Sequence, residues 1–361
     1  MVTIQVDKLI DFVSEVFTHS ESSPEEARRI ASYLTTANLT GHDSHGVIRV
    51  PVYVRWKKMG SVVPNQTPEI VVDTPSLAVV DGKFGYGQTV TPFAVKIGID
   101  KCRKAGLSSV ALRNAGHIGR VGDWAEMAAA EGLVSVHFVN AAGSLLVAPY
   151  GGVEKRLSTA PYCVGIPRKG QDPIVLDFAT SVVAEGKVLV ASRGGKKLPK
   201  GALVDADGTL SEDPGVLYGP YTPDGPRDHT KGTGAIRAFG EHKGSGLAII
   251  CELLGGALTG TGATAGNRRF ANGMLSFYID PNVVDTSNFF DGEITRYTDF
   301  IRATKPIAGV DSVLVPGDQE RKTRADRTNN GVPLPDDTWA AIVNTAREVG
   351  VSEVSIQRAT A

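Results

Sequence analysis

The chain is short of cysteine, of net charge and of long apolar runs, and each shortage removes a class of protein. Cys102, Cys163 and Cys251 are the only cysteines in 361 residues, far apart and in no Cys-x-x-Cys spacing. Such a set builds neither a disulfide framework nor a cysteine zinc site, and it fits a reducing, cytoplasmic setting. The 38 basic residues are matched by 39 acidic ones, for a net charge of −1. That balance gives no electrostatic reason to expect nucleic acid or an anionic membrane as partner. No stretch approaches the ~18 uninterrupted apolar residues of a membrane span. No basic region followed by an apolar core opens the chain, so no signal peptide is expected.

Several catalytic signatures are missing too. No Gly-x-Gly-x-x-Gly sits on a strand-to-helix turn: Gly116-His-Ile-Gly119-Arg-Val-Gly122 has the wrong spacing, and Gly260-Thr-Gly262-Ala-Thr-Ala-Gly266 follows a helix. An ordinary Rossmann domain is therefore not expected. Walker A and Gly-x-Ser-x-Gly sequences are absent, which argues against nucleotide hydrolysis and serine esterase chemistry. There is no His-Glu-x-x-His, and no metal is expected.

What is present reads as helices around an α/β centre. Leu9, Phe12, Val13, Val16 and Phe17 recur at helical spacing. Ser23-Pro-Glu-Glu26 is a helix start, with serine as cap and proline in the first turn. From Glu69 the pattern changes to strands at 69–73 and 77–82, a helix at 89–105 stopped by Gly106, and a strand at 109–113. A helix from Trp124 and a strand at 134–140 follow, so an α/β layer arrangement is expected. Residues 191–238 read as long loops. Glu241–Leu258 reads as a helix with small residues all round, the kind usually buried. A charged segment at 311–330 leads to a last helix, 337–349.

The chemistry concentrates in Gly41-His-Asp-Ser-His-Gly-Val-Ile-Arg-Val-Pro-Val-Tyr53. His45, Arg49 and Tyr53 stand at i, i+4, i+8, one face if the segment is a helix, although Pro51 would suit a helix that begins there. A polar helix start with capping side chains is the plainer reading. His117 lies between glycines in a loop directly after a strand, where an imidazole can project into a cleft as an acid/base group. A loop histidine bonded to a carbonyl is the alternative. His242-Lys-Gly244 precedes a helix and offers a phosphate site, or simply a basic helix start. Asp177-Phe-Ala-Thr-Ser181 ends a strand, and Pro316-Gly-Asp-Gln-Glu320 reads as a surface turn.

In order, Gly-His-Asp-Ser-His-Gly-x-x-Arg, Gly-His-Ile-Gly-Arg-x-Gly-x-Trp, Asp-x-Ala-Thr-Ser, His-Lys-Gly and Pro-Gly-Asp resemble the type 2 malate/L-lactate dehydrogenase family over nearly the whole chain. The likeness is nearest to its hydroxycarboxylate dehydrogenase B branch. It implies a mixed α/β, non-Rossmann malate/sulfolactate dehydrogenase-like fold. Residues 1–75 with 300–361 would form a mainly helical domain, and 76–299 an α/β domain binding cofactor and substrate. It implies hydride transfer between NAD, or NADP, and a 2-hydroxy or 2-oxo carboxylic acid, in a homodimer. Reduction of a cyclic imine carboxylate and non-catalytic binding of a small molecule are the alternatives.

By position, the resemblance assigns His117 as acid/base, with His45 orienting cofactor and substrate; the proton role of the two stays open. Arg49 would hold the substrate carboxylate, and Ser44, Tyr53 and Asn140 would complete the pocket. Cofactor contacts would fall on His45, Gly119, Arg120, Val121, Asp177, Phe178, Ala179, His242, Lys243, Asn272, Gly317, Asp318, Gln319 and Glu320. Two positions depart from the pattern. Ala141 stands where some ureidoglycolate enzymes have a lysine, which favours less polar substrates, and Thr159-Ala160-Pro161 replaces Thr-Asn-Pro.

Overall fold

The structure, a computed structural model, describes residues 1–192, 197–220 and 228–360. A short strand, β1 (Val2–Ile4), leads into α1 (Val6–His19), which buries Leu9, Phe12, Val13, Val16 and Phe17. Ser23 caps α2 (Pro24–Leu39), its hydroxyl accepting from the Glu26 N–H at 3.2 Å. Two single 3-10 turns follow, Asp43–His45 and Val47–Arg49. Only then does α3 (Val50–Lys58) begin, with Pro51 in its first turn, where the missing N–H leaves no bond unmade. His45, Arg49 and Tyr53 therefore do not share one helix face; the proline reading holds and the continuous helix does not.

The centre begins with β2 (Glu69–Asp73) and β3 (Leu77–Asp81). Helix α4 (Gly87–Ala105) ends at Gly106, whose φ of +79° continues the chain into β4 (Leu107–Ala115). Then come α5 (Gly122–Ala130), β5 (Val134–Ala142), β6 (Val147–Ala148), β7 (Pro161–Ile166), β8 (Ile174–Ala179) and α6 (Glu185–Ser192). The stretch read as loops contains β9 (Leu203–Val204), β10 (Leu210–Ser211), α7 (Gly215–Tyr218) and β11 (Ala235–Arg237). Its residues 193–196 and 221–227 lie outside those described. After α8 (His242–Cys251) come β12 (Ala271–Ile279), α9 (Pro281–Val284) and α10 (Phe289–Arg302). The chain finishes with α11 (Asp318–Asn330), β13 (Val332–Leu334), α12 (Asp336–Glu348) and α13 (Glu353–Thr360). The charged segment at 311–330 is thus mostly a helix; its surface is polar all round, so no apolar periodicity announces it.

The main sheet has seven strands in the order β2-β3-β4-β12-β5-β7-β8. Only β3 and β4 run parallel, joined through α4; the other neighbours are antiparallel. A smaller sheet orders β10-β9-β11-β6, and β1 pairs with β13. The apolar core follows this division. One cluster joins both chain ends, with Ile4, Phe17, Ile30 and Leu34 packed among Val332, Ile342 and Ile356. A second fills the space between the main sheet and α4 and α5, around Val95, Leu112, Trp124 and Tyr278. Tyr53 belongs to the first cluster and Ile118 to the second, so the loop carrying His117 runs along the seam.

The segment expected as one buried helix at 241–258 departs in two ways. It turns π-helical over Glu252–Leu258, and Ile249, Ile250, Leu253 and Leu258 are exposed. The small residues explain this: they bring one side onto the sheet and leave the larger side chains outside. A Cβ on Gly255 would lie 2.7 Å from the Phe138 carbonyl oxygen, and one on Gly273 of β12 only 2.0 Å from the Gly255 carbonyl oxygen. Both obstacles are backbone and cannot rotate away. Gly273→Ala is expected to destabilise the fold by about 1–3 kcal/mol, read as a lower urea midpoint with an unchanged slope.

Candidate active site

The site is built from segments that the fold brings together across the seam. Asn38, at the end of α2, shapes the two 3-10 turns. Its carbonyl oxygen accepts from the Val47 N–H at 2.8 Å and its amide donates to Asp43 at 2.6 Å. Gly46 leaves room for it, since a Cβ there would sit 2.1 Å from Asn38 Oδ1. These bonds hold Ser44, His45 and Arg49 as a unit. The Ser44 hydroxyl lies 3.0 Å from His45 Nδ1, and Arg49 Nε donates to the Ser44 carbonyl at 2.6 Å.

His117 comes from the loop after β4. Asn272 pins that loop, its Oδ1 accepting from the Ile118 N–H at 2.9 Å while its Nδ2 donates to the Asn140 carbonyl at 2.6 Å. The start of α4 presses on the same loop so closely that a Cβ on Gly87 would lie 2.3 Å from the His117 carbonyl oxygen. The His117 ring lies parallel to that of His45, 5.5 Å between centroids and 13° between planes. Its Nδ1 is 2.5 Å from the Tyr53 hydroxyl, which also receives a hydrogen bond from Gln88 Nε2 at 3.1 Å. Trp56 and Phe270 stack at 4.6 Å and form an aromatic wall beside His117.

Burial, reinforced by the positive Arg49, pulls the His117 imidazole down to about 3. His45 is held well below the ordinary histidine value by burial first, then by His117 and Arg49. Burial pushes the Tyr53 phenol up. Near neutral pH the site therefore contains two uncharged imidazoles, a neutral phenol and the guanidinium of Arg49. Arg49 is only loosely paired, with Nη2 3.8 Å from Oε2 of Glu185 at the start of α6.

The other expected residues divide. Gly119 has a φ of +73°, which bares backbone beside His117. Glu320 joins the site through His42, at 3.3 Å. Arg120 is 2% exposed and locked between Asp123 at 2.7 Å and Glu126 at 2.6 Å, so its charge is spent inside the protein. Val121 is core. Asp177 accepts from the Gly122 N–H at 2.7 Å and so caps the start of α5. Phe178 packs edge-on against Phe239, and Ala179 pairs with Pro161. Asn140 does not face the cleft: its amide donates to Glu252 and the Gly262 carbonyl and accepts from the Gly273 N–H. Asn272, equally buried, serves the loop rather than the cleft. Asp318 is held by Arg302 and Arg321 at the start of α11, behind Gly317 (φ +95°), and Gln319 turns to Thr323 at 3.3 Å. The reading of 316–320 as a surface turn gives way to a helix start. His242 and Lys243 are exposed at the first turn of α8, with Tyr150 beside His242; no contact among the described residues joins them to the histidine pair.

Gln88, Asn38 and Glu185 belong to the site and carry no motif in the sequence. Their neighbours are set by tertiary packing, and only the adjacent glycines at 46, 87 and 186 hint at close approach there. A Cβ on Gly186 would lie 2.6 Å from the Ser44 Cβ.

A guanidinium, a hydrogen-bonded neutral imidazole and an aromatic wall set side by side are groups able to pair with a carboxylate and to exchange a proton. Comparison with known proteins gives the class. The sequence pattern of the malate/L-lactate dehydrogenase family matches residues 4–343, and the chain belongs to that family. It is 36% identical to hydroxycarboxylate dehydrogenase B of Escherichia coli K12, over 97% of this chain and 95% of that protein. It is 31% identical to a Δ1-pyrroline-2-carboxylate/Δ1-piperideine-2-carboxylate reductase of Pseudomonas syringae pv. tomato, over 92% and 93%. The solved malate dehydrogenase of Pyrococcus horikoshii superposes with a TM-score of 0.84 at 27% identity, over 97% of this chain and 96% of that one. The protein is a hydroxy-acid oxidoreductase with the mixed α/β fold of the malate dehydrogenases.

The neutral imidazoles set a pH dependence. Because the folded-state value of His117 lies below the unfolded 6.5, the unfolded chain binds more protons between pH 6.5 and about 3. Stability is complete above pH 6.5 and falls as pH drops through that window. The buried His137, also pulled down to about 3 by burial, adds to the effect. The melting temperature is expected to fall from pH 7 to pH 4.5, and less steeply in His117→Gln; equal slopes would refute the assignment to His117.

Proposed function

We propose that the protein is a nicotinamide-dependent 2-hydroxycarboxylate dehydrogenase, using NAD or NADP. The convergence of His117 with the unit that holds His45 and Arg49, from two separate stretches of chain, carries the reading. The residues fit such a cofactor: parallel uncharged imidazoles and an aromatic wall suit a flat ring, Gly119 bares backbone, and the first turn of α8 with Lys243 suits a phosphate. Bound there, the cofactor supplies or accepts the hydride.

The chain's own groups do the rest. Arg49 pairs with the substrate carboxylate and fixes its orientation. That pairing also cancels the positive field that adds to the cost burial sets on a His117 proton, so a bound carboxylate favours protonation of its ring. The imidazolium then gives its Nε2 proton to the carbonyl oxygen as that oxygen becomes an alkoxide. Oxidation reverses each move. His117 takes this role ahead of His45 because its Nδ1 is held at 2.5 Å by a buried phenol, whereas His45 Nδ1 lies 3.0 Å from the hydroxyl of its own neighbour Ser44. His45, bonded to Ser44, positions the reacting carbon.

The likeness to the pyrroline/piperideine carboxylate reductase supports a second reading, reduction of a cyclic imine acid, with Arg49 in the same role. We further propose a homodimer, supported by the exposed Phe289, Tyr297 and Phe300 of α10, and a cytoplasmic location, supported by three free, buried cysteines.

With NADH or NADPH and a panel of 2-oxo acids, the near-ultraviolet absorbance of the reduced cofactor is expected to fall. No turnover by the folded protein would refute the dehydrogenase reading, and turnover confined to pyrroline-2-carboxylate would transfer it to the imine. Arg49→Ala is expected to cost about 2–4 kcal/mol of transition-state binding, read from kcat/KM. A loss equally large for a substrate lacking the carboxylate would refute its role.

A further inference from the structure

We propose that Gln88 is a positioning residue: acting through the Tyr53 hydroxyl, it decides which nitrogen of His117 carries the ring's proton. The proposal rests on the reading of His117 as the acid/base group. Gln88 is 1% exposed, at the start of α4, and Tyr53 is equally buried. The bonds run in series, Gln88 Nε2 to Tyr53 Oη at 3.1 Å and Tyr53 Oη to His117 Nδ1 at 2.5 Å. The other end of the amide, Oε1, is buried with no hydrogen-bond partner among the described residues. Among the described residues Tyr53 Oη is thus the hydrogen-bond partner of the amide, and a half-turn of the amide would bring Oε1 to it instead.

The two orientations are chemically different. With Nε2 toward Tyr53, the phenol keeps its own proton to give, and His117 Nδ1 at 2.5 Å is the nearer of its two acceptors, ahead of the His117 carbonyl at 3.3 Å. The ring then carries its proton on Nε2 and has no lone pair there to act as a base. With Oε1 toward Tyr53, the phenol donates to the amide and accepts from His117 Nδ1–H. Nε2 is then free to take a proton from a hydroxy acid, and the resulting imidazolium keeps both N–H groups bonded. The second orientation is the competent one for acid/base exchange at Nε2. A half-turn of one buried amide reverses the chain without breaking the packing that Gly87 permits.

Two substitutions separate this role from a merely structural one. Gln88→Glu introduces a group that, ionised, only accepts, so it holds the chain in the competent direction. The limb of the kcat–pH profile that belongs to His117 is expected to move up by about one unit or more. Gln88→Met keeps the volume and removes both polar ends. It is expected to lower kcat about tenfold or more with little change in KM. Tyr53→Phe cuts the connection, so adding Gln88→Met to it should cost nothing further. Independent losses in that double variant, or an unmoved pH limb in a folded Gln88→Glu protein, would overturn the proposal. Nitrogen-15 spectra of histidine-labelled protein, with His117 assigned by His117→Gln, read the tautomer without any substrate. A tautomer that follows Gln88 in a protein without turnover would support this inference while refuting the dehydrogenase reading. Turnover with a tautomer indifferent to Gln88 would do the reverse.

Discussion

The hydrogen bond between Tyr53 and His117 is the contact on which the site depends. Tyr53 is anchored in the core formed by the chain ends, and His117 stands on a loop tied to the central sheet. Neither half places both groups. The bond spans the seam, and its length is set by how two separately packed bodies of side chains meet. Asn38, Asn272 and the glycines at 46, 87 and 186 brace the same meeting: Gly87 lets backbone approach the His117 loop, and Gly46 and Gly186 leave room for the Asn38 and Ser44 side chains. Asn140 and Arg120, which the family resemblance assigns to substrate and cofactor, are bolts of this frame.

Charge is used sparingly where the halves meet. The two imidazoles are uncharged because burial makes a proton costly there, and Arg49 adds to that cost. One loosely paired guanidinium is left facing the cleft. A carboxylate that settles on it changes the electrostatics for its neighbour, so binding and proton supply are linked through a single charge. A stronger pairing with Glu185 would satisfy Arg49 in the empty site and weaken that link.

The sequence made much of this legible. Amphipathic spacing placed α1 and α2, the serine–proline start placed a cap, and glycine stops marked α4 and α12. His45, Arg49 and His117 stood out because glycines surround them and because polar side chains of this kind are rarely grouped without use. What stayed hidden depends on tertiary packing. The two 3-10 turns arise from the Asn38 side chain, not from local propensity. Helix α11 has no apolar face to betray it, and the π-helical turn follows from glycines meeting the sheet. Gln88 and Glu185 have ordinary local surroundings; only the fold gives them neighbours that matter. The likeness to a family assigned contacts by position, but it could not tell a residue that faces the cleft from one that braces it.

The pairing of β1 with β13 has a temporal meaning. Val2 lies opposite Leu334, so β1 waits for a partner strand made long after it. The apolar cluster behind Tyr53 likewise needs Val332, Ile342 and Ile356 before it is closed. During synthesis the central sheet emerges whole while the helices on either side of the His45 and Arg49 turns still lack their cover. Closing so long a loop costs entropy that is recovered only when these late contacts form. The cluster behind Tyr53 is therefore closed only after β13 and α12 are made, and until then the chain carries Tyr53 and His117 without the packing that joins them.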